Sequence, residues 1–480
     1  MTKTFAGALA ACLLLAACNT DLTVPNLNNP TPGGIGNDPI NGLALAATGI
    51  LAQDRGGYGG YISDVGIFGR ESYNYFPTDG RSHTHFVAQN PLDNAGFASG
   101  NFAGRYTTLR NIDNFLGAVN IAPVTPERAA GARGFAETFE ALELHYVIAQ
   151  RHDYGAVVQI NADARELSPF VSRDSAQNYI IARLDSARTY LLAAGSTPFF
   201  FPLHAGFTTN GTFNTPATFL QFNRAIAARV QVWRASLGNP ACGAGGVTCY
   251  TAALAALTEA GVDTTASLGR GVYHLYSTES GDTRNGLNPA VNKDLLAHPS
   301  IQTDAPLDTL GQPDQRYRTK IYTPVPNAPR CPVGGAGAAG ICTSLGFNMY
   351  NASQTAPTPI FRNEELILLQ AEALYFTGSS GGALADINFI RRVSGGLAPR
   401  GAFVDANDFI TELLLQRRYS LLWEGHRWVD VRRFGRIPTL PLDAPSHFRQ
   451  VQQPVPQAEC LQREKAALAL RCPPVVPTPF

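Results

Sequence analysis

Aromatic rings and polar side chains crowd one stretch of this chain: Tyr58, Tyr61, Tyr73, Tyr75, Phe76, Phe86, Phe97 and Phe102 stand among Asp64, Asp79, Arg81 and Asn101. A flat ring stacks on the apolar face of a sugar, while Asp, Asn and Arg reach its hydroxyls and fix orientation in an otherwise apolar site. The same rings could instead pack loops onto a helical body. The residues we select from this stretch as ligand contacts are Tyr73, Tyr75, Asp79, Arg81, Asn101 and Phe102. A second set, Tyr273, Tyr276, Phe347 and Tyr350, lies in a later loop-rich region.

Catalytic constellations are harder to find. His145 and His152 lie seven apart, which falls short of the i, i+4 pair that zinc prefers, and there is no His-Glu-x-x-His. No Gly-x-Ser-x-Gly elbow and no Gly-x-x-x-x-Gly-Lys-Ser/Thr loop occurs. Isolated carboxylates offer no pair to prefer for glycoside hydrolysis. We therefore expect no catalytic residues, no metal and no cofactor, hence a protein that is not an enzyme. The 37 basic and 37 acidic residues cancel, which argues against nucleic acid as a partner. With charged residues at only 15%, a neutral ligand fits the composition.

The cysteines carry a different chemistry. Residues 1–17 combine Lys3 with an uncharged run from Phe5 to Ala17 that is too short to span a bilayer, as in a signal peptide. The run ends in Leu15-Ala16-Ala17-Cys18, which looks like a lipobox whose Cys18 thiol accepts a lipid. Export favours disulfides. The remaining cysteines fall as close pairs, Cys242/Cys249, Cys331/Cys342 and Cys460/Cys472, and are expected to staple local loops.

These residues need elements to hold them. Residues 18–38, rich in Asn, Pro and Gly, read as a flexible lipidated tether, and 39–480 as a single domain. A first helix is expected over about Asn41 to Gln53. Phe135, Phe139, Leu142, Tyr146 and Ala149 share one helical face, as do Ile180, Leu184, Ala187 and Leu191 after a cap at Ser172. Thr215-Pro216 opens another helix, carrying Phe219, Phe222, Ile226, Val230 and Trp233, and a shorter partner is expected over about Tyr250 to Glu259. From Glu364 to Val393, Ala371, Leu374, Ala383, Ile387 and Ile390 suit the fixed positions of a tetratricopeptide-like (TPR-like) hairpin. The fold class is thus mainly α, with degenerate TPR-like pairs. The helical scaffold is expected at about 105–260 and 360–435, and the loop-rich ligand face at about 55–104 and 262–359.

The C-terminal third is more specific. Phe361-Arg-Asn-Glu-Glu-Leu-Ile-Leu-Leu-Gln-Ala-Glu-Ala-Leu374, then Ala383 to Arg392, then Glu412-Leu-Leu-Leu-Gln-Arg-Arg418, then Trp423-Glu-Gly-His-Arg-Trp-Val-Asp-Val-Arg-Arg-Phe-Gly435 resembles the SusD/RagB family. Arg105 to Asn114, Phe139 to Tyr146, Asn223 to Val230 and Val451 to Glu459 fit the same pattern. The resemblance implies a SusD-like helical fold and a cell-surface nutrient-binding lipoprotein of the outer membrane. Such a protein would bind an oligosaccharide or peptide and deliver it to a SusC-like TonB-dependent transporter. It also places part of the ligand face in the N-terminal region, and the membrane is reached through the lipid anchor. Only Trp233, Trp423 and Trp428 exist, all within helical motifs, so Tyr and Phe must do any stacking. Within the Trp423 to Gly435 motif, charges alternate with rings, which reads as ion pairs bridging packed aromatics; on the preceding helix Ile410, Leu413, Leu414 and Leu421 are expected to form the buried stripe, with Glu412, Arg417 and Arg418 near its edge. A TPR-like lipoprotein that scaffolds envelope assembly is the alternative.

Overall fold

The computed structural model describes residues 39–161, 163, 166–333 and 341–466. Cys18, the tether and Cys472 lie outside them.

Helix α1 runs over Pro39–Phe68, well past the expected end at Gln53. The run Arg55-Gly-Gly-Tyr-Gly-Gly-Tyr reads as a breaker, since each helix-interior glycine costs roughly 0.5–1 kcal/mol against alanine. Burial overrides that cost, because Leu51, Asp54, Tyr58, Tyr61, Ile62 and Val65 recur at helical spacing and all pack inward. Residues 55–68 therefore belong to the scaffold, which corrects their assignment to loops. Strand β1 (Ser72–Asn74) and helix α2 (Arg81–Val87) follow, and α3 (Phe102–Ile121) begins three residues before Arg105.

The expected hairpins come next. Helix α4 (Pro126–Arg151) is capped by Thr125, and α5 (Arg173–Ala194) by Ser172, whose oxygen accepts from Ser175 N. Helix α6 (Pro216–Ser236) starts with a reciprocal box between Thr215 and Thr218, and α7 (Val247–Ala260) returns against it. The turn between these two is closed by the Cys242–Cys249 disulfide. In the TPR-like hairpin, α10 (Asn363–Phe376) packs on α11 (Ser380–Val393) with Ala371 and Ala383 fully buried between them. Helices α12 (Ala406–Ser420) and α13 (Arg427–Arg433) complete that end, and α14 (Gln457–Ala466) follows.

Between α7 and α10 the chain forms short pieces: β2 (Gly271–His274), β3 (Leu295–Ala297), α8 (Ser300–Thr303), α9 (Gln315–Lys320), β4 (Ile321–Tyr322), β5 (Gly346–Phe347) and β6 (Thr358–Arg362). They pair as three antiparallel two-stranded sheets, β1 with β3, β2 with β6 and β4 with β5. In the first, Asn74 stands opposite Leu295. The second disulfide, Cys331–Cys342, closes a loop of this region. Among the described residues, no helix is long and apolar enough to cross a membrane.

The C-terminal motif holds the scaffold together as ion pairs among rings. Arg417 donates to Asp430 at 2.8 Å, and Arg433 donates to Asp430 at 3.0 Å and to Glu372 of α10 at 2.6 Å. Arg362 bridges Glu424 and Glu364, and Arg229 of α6 grips both oxygens of Glu365 at 2.6 Å. Trp423 stacks on Phe347, and its ring lies so close to α1 that a Cβ at Gly66 would sit 2.2 Å from it. Arg417 is fully buried and Glu412 nearly so, deeper than the stripe edge expected of them. The partner that draws Arg417 inward, Asp430, is thirteen residues away and invisible to helical periodicity.

Candidate functional site

The structure separates the selected ligand residues into two groups. Tyr73 and Tyr75 are buried, as is Phe102. The Tyr73 hydroxyl donates to Asp443 at 2.5 Å, and its ring lies edge-on to His83 and His298. Tyr75 donates its N–H to the Asp294 carbonyl, while its own carbonyl accepts from Arg330. Phe102 packs under the Arg151 guanidinium and against Tyr106. Their rings have no free face, because strand pairing and helix packing claim them. Phe347 and Tyr350 of the second set are likewise core.

Asp79, Arg81 and Asn101 are accessible. Arg81 grips Asp79 through Nε at 2.9 Å and Nη2 at 2.7 Å. These hydrogen bonds hold the Asp79 carboxyl at about 2. Arg81 also lies 5.4 Å from the ring of Phe97, which is 51% exposed, and His85 flanks the same ring. Phe76 is exposed nearby in sequence. Asn101 caps α3 by accepting from Gly104 N at 3.1 Å, and its amide rests against Gly57 of α1. Asp79, Arg81, His85 and Phe97 thus form a small polar and aromatic rim, while Asn101 stands beside α1.

A groove of about 260 Å³ opens between α1 and the segment 276–295. One wall is Arg55, Gly56, Gly59, Gly60 and Ser63; the other includes Tyr276, Thr283, Arg284, Asn292 and Leu295. Because Leu295 pairs with Asn74, β1 carries the chain from this groove towards Phe76 and Asp79. The opposing segment is anchored by buried side chains. Buried Asn285 donates to the Ala356 carbonyl at 2.8 Å, and buried Asn288 donates to the Ser353 carbonyl at 2.9 Å. Arg55 donates to the Leu275 carbonyl, pairs with Asp282 and lies 5.9 Å from the Tyr276 ring centroid. Burial raises the Tyr276 hydroxyl to about 12, so it stays a protonated donor at neutral pH.

The groove wall of α1 is bare by composition, not by crowding. A Cβ at Gly57 would meet the Asn101 amide at 2.7 Å and the buried Arg105 guanidinium at 3.2 Å, so a side chain there would have to displace them. A Cβ at Gly56 or Gly60 would meet nothing within 4 Å. At these two positions glycine exposes helix backbone to the groove without any internal contact demanding it. This is how a chain lets another molecule approach its backbone closely.

A second cleft, of about 290 Å³, lies between α3 and α4 and is lined by Asp113, Glu140, Tyr179 and Arg183 among others. Its polar groups are already engaged with one another: Tyr179 donates to Glu140 at 2.7 Å, and Arg183 donates to Tyr179 at 2.8 Å. The two histidines of α4 and its end do not meet, His145 lying against Trp233 and His152 against Arg173. Among the described residues no group of three or more His, Cys, Asp or Glu is placed to hold a metal ion.

Sequence reading reached Tyr276, Asp79 and Arg81 but missed Arg55, Gly56, Gly60, Ser63, Arg284 and Asn292. The signal was present in α1: apolar positions continue at helical spacing straight through the glycines. Glycines inside an unbroken amphipathic helix mark close approach on the face they occupy.

Residues 346–466 match the SusD family model. Over its length the chain has the fold of solved SusD-superfamily proteins. It is similar to one from Bacteroides vulgatus at 14% identity, covering 88% of this chain and 97% of that one, with a TM-score of 0.64. NanU of B. fragilis follows at 13% identity, 93% and 99% coverage and 0.62. A SusD-like carbohydrate-binding protein of Bacteroides fragilis gives 14%, 92% and 94%, and 0.60. No curated protein sequence matches the chain. The SusD/RagB resemblance carried by the C-terminal motifs is borne out, as is the mainly helical SusD-like fold.

Proposed function

We propose that this protein is a cell-surface lipoprotein that captures oligosaccharide in the groove between α1 and residues 276–295 and passes it to a TonB-dependent outer-membrane transporter. The observation that carries the binding step is the bare backbone at Gly56 and Gly60, facing open space across from Tyr276. A sugar ring lies flat on such a floor or against the Tyr276 ring, while Ser63, Thr283 and Asn292 supply hydroxyl and amide partners. The rim of Asp79, Arg81 and Phe97, with Asn101 beside α1, extends the contact to further sugar units. Tyr73, Tyr75 and Phe102 act behind this face by fixing its strands and helices. Cys18 acylation supplies the anchor and residues 18–38 the tether. The carbohydrate-binding SusD-like protein of similar fold supports the choice of glycan over peptide.

The test is a glycan and peptide array probed with full-length protein in detergent. Glycan hits that weaken at least tenfold in Gly56→Ala and Gly60→Ala variants are expected, because each new methyl group intrudes on the floor. Hits indifferent to both variants would remove the groove from the reading. Capture of a TonB-dependent transporter with the native lipoprotein from solubilised membranes is expected; its repeated absence would overturn the delivery step.

A further inference from the structure

Resting on the reading that the groove takes a sugar, we propose that the sugar is anionic, with a carboxylate or sulfate ester received by Arg284. The groove's lining includes two arginines and no carboxylate. Arg55 is committed, through its bonds to Asp282 and to the Leu275 carbonyl. Arg284 stands exposed on the opposite wall; its carbonyl accepts from the Thr283 hydroxyl, but its guanidinium has no hydrogen bond or ion pair among the described residues. Lys293, next to the lining residue Asn292, is a second exposed cation without such a partner. The nearest acids along this segment are otherwise engaged: Asp282 holds Arg55, and Asp294 is buried against Arg330 at 2.5 Å. Glu279 is exposed and does not belong to the lining.

The positive character is local. The whole chain has a formal net charge of zero, so no general attraction draws anions to it. A planar guanidinium with free N–H groups matches a carboxylate or sulfate through two parallel charge-assisted hydrogen bonds, roughly twice as strong as those it makes to the hydroxyls of a neutral sugar. The backbone floor and Tyr276 would hold the ring, and Arg284 would decide which ring is held. This departs from the neutral ligand suggested by overall composition, because the deciding charges are few and lie on one wall.

The experiment compares matched oligosaccharides on the full-length protein by calorimetry: oligogalacturonate against its methyl ester, and a chondroitin sulfate hexasaccharide against its desulfated form, beside a neutral glycan array. Preference for at least one charged member, lost roughly ten- to a hundredfold in Arg284→Gln, is expected. The same substitution at Arg392, an exposed arginine on α11, should leave binding unchanged. Which of the two charged members binds separates carboxylate from sulfate recognition. Neutral glycans binding as well as charged ones, or an equal loss in Arg392→Gln, would overturn the anionic assignment and leave sugar capture standing. No binding to any glycan would remove both.

Discussion

The arginines of the scaffold and those of the proposed ligand face obey different rules. Around α10, α12 and α13, Arg417 and Arg433 are fully buried, and each is matched to Asp430 or Glu372. On the face, Arg81 pairs only with its neighbour Asp79, and the Arg284 guanidinium pairs with no acid among the described residues. Buried charges must be paired, since an unpartnered one costs several kcal/mol, whereas exposed charges are free to wait for a ligand. The family-like motifs therefore lie where the chain is held together, and binding is expected where the sequence is least patterned.

That contrast breaks most visibly at Glu372. Glu372→Gln leaves Arg433 buried with half its partner lost, and a destabilisation of roughly 3–5 kcal/mol is expected in urea unfolding. A change below about 1 kcal/mol would mean that the scaffold tolerates unpaired charge, and the comparison would collapse.

The pH dependence sharpens it from both sides. Burial works to raise Glu364, but Arg362 and Lys320 hold it at about 2. Its folded pKa is depressed, so its contribution is present above the ordinary value of about 4.3 and is lost as pH falls towards 2. Asp64, near the face on α1, has no cation at hydrogen-bonding distance among the described residues. Gln150 and Gln453 donate to it at 3.2 and 3.0 Å, and burial raises it to about 7. With a raised pKa the sign reverses: stability is fully present below about 3.9 and declines as pH rises through 7. Asp64→Asn should cancel that decline, a gain on the order of 2–4 kcal/mol at pH 8 relative to pH 5. Unfolding curves with identical pH slopes in both proteins would refute it.

A smaller effect of opposite direction belongs to the groove. Gly60→Ala should stabilise the fold by roughly 0.5–1 kcal/mol, since the methyl group meets no neighbour and the helix gains propensity. The same variant should lose affinity. Thermal unfolding and ligand titration on one sample check both signs, and a loss of stability would show that Gly60 is needed for packing.

How much of this could be read from residues alone follows the same division. Caps at Ser172 and Thr215 and the alanines of the TPR-like hairpin announce the scaffold, because helix starts and close helix contacts have local signatures. The extent of α1 was not legible. Four glycines in seven residues outweigh periodicity in any local reading, and only burial against α3, α13 and Trp423 tips the balance back to helix. The site was harder still to read. Tyr73 and Phe97 look alike as aromatic residues among polar ones, yet a strand partner buries the first and leaves 51% of the second exposed. That distinction depends on partners such as His298 and Asp443, more than two hundred residues away.

The smallest expected effect tests the rim. The Asp79–Arg81 pair lies at the surface, and pairs of this kind add little to stability because water screens them and two side chains must be ordered. Asp79→Asn should leave the melting temperature unchanged while freeing the Arg81 guanidinium that now lies over Phe97. If the rim contacts ligand, affinity should shift severalfold with no change in fold, and Phe97→Ala should weaken binding further by removing the exposed ring. Melting temperature and affinity falling together in Asp79→Asn would place the pair with Arg433 and Glu372, as a structural contact that happens to lie at the surface.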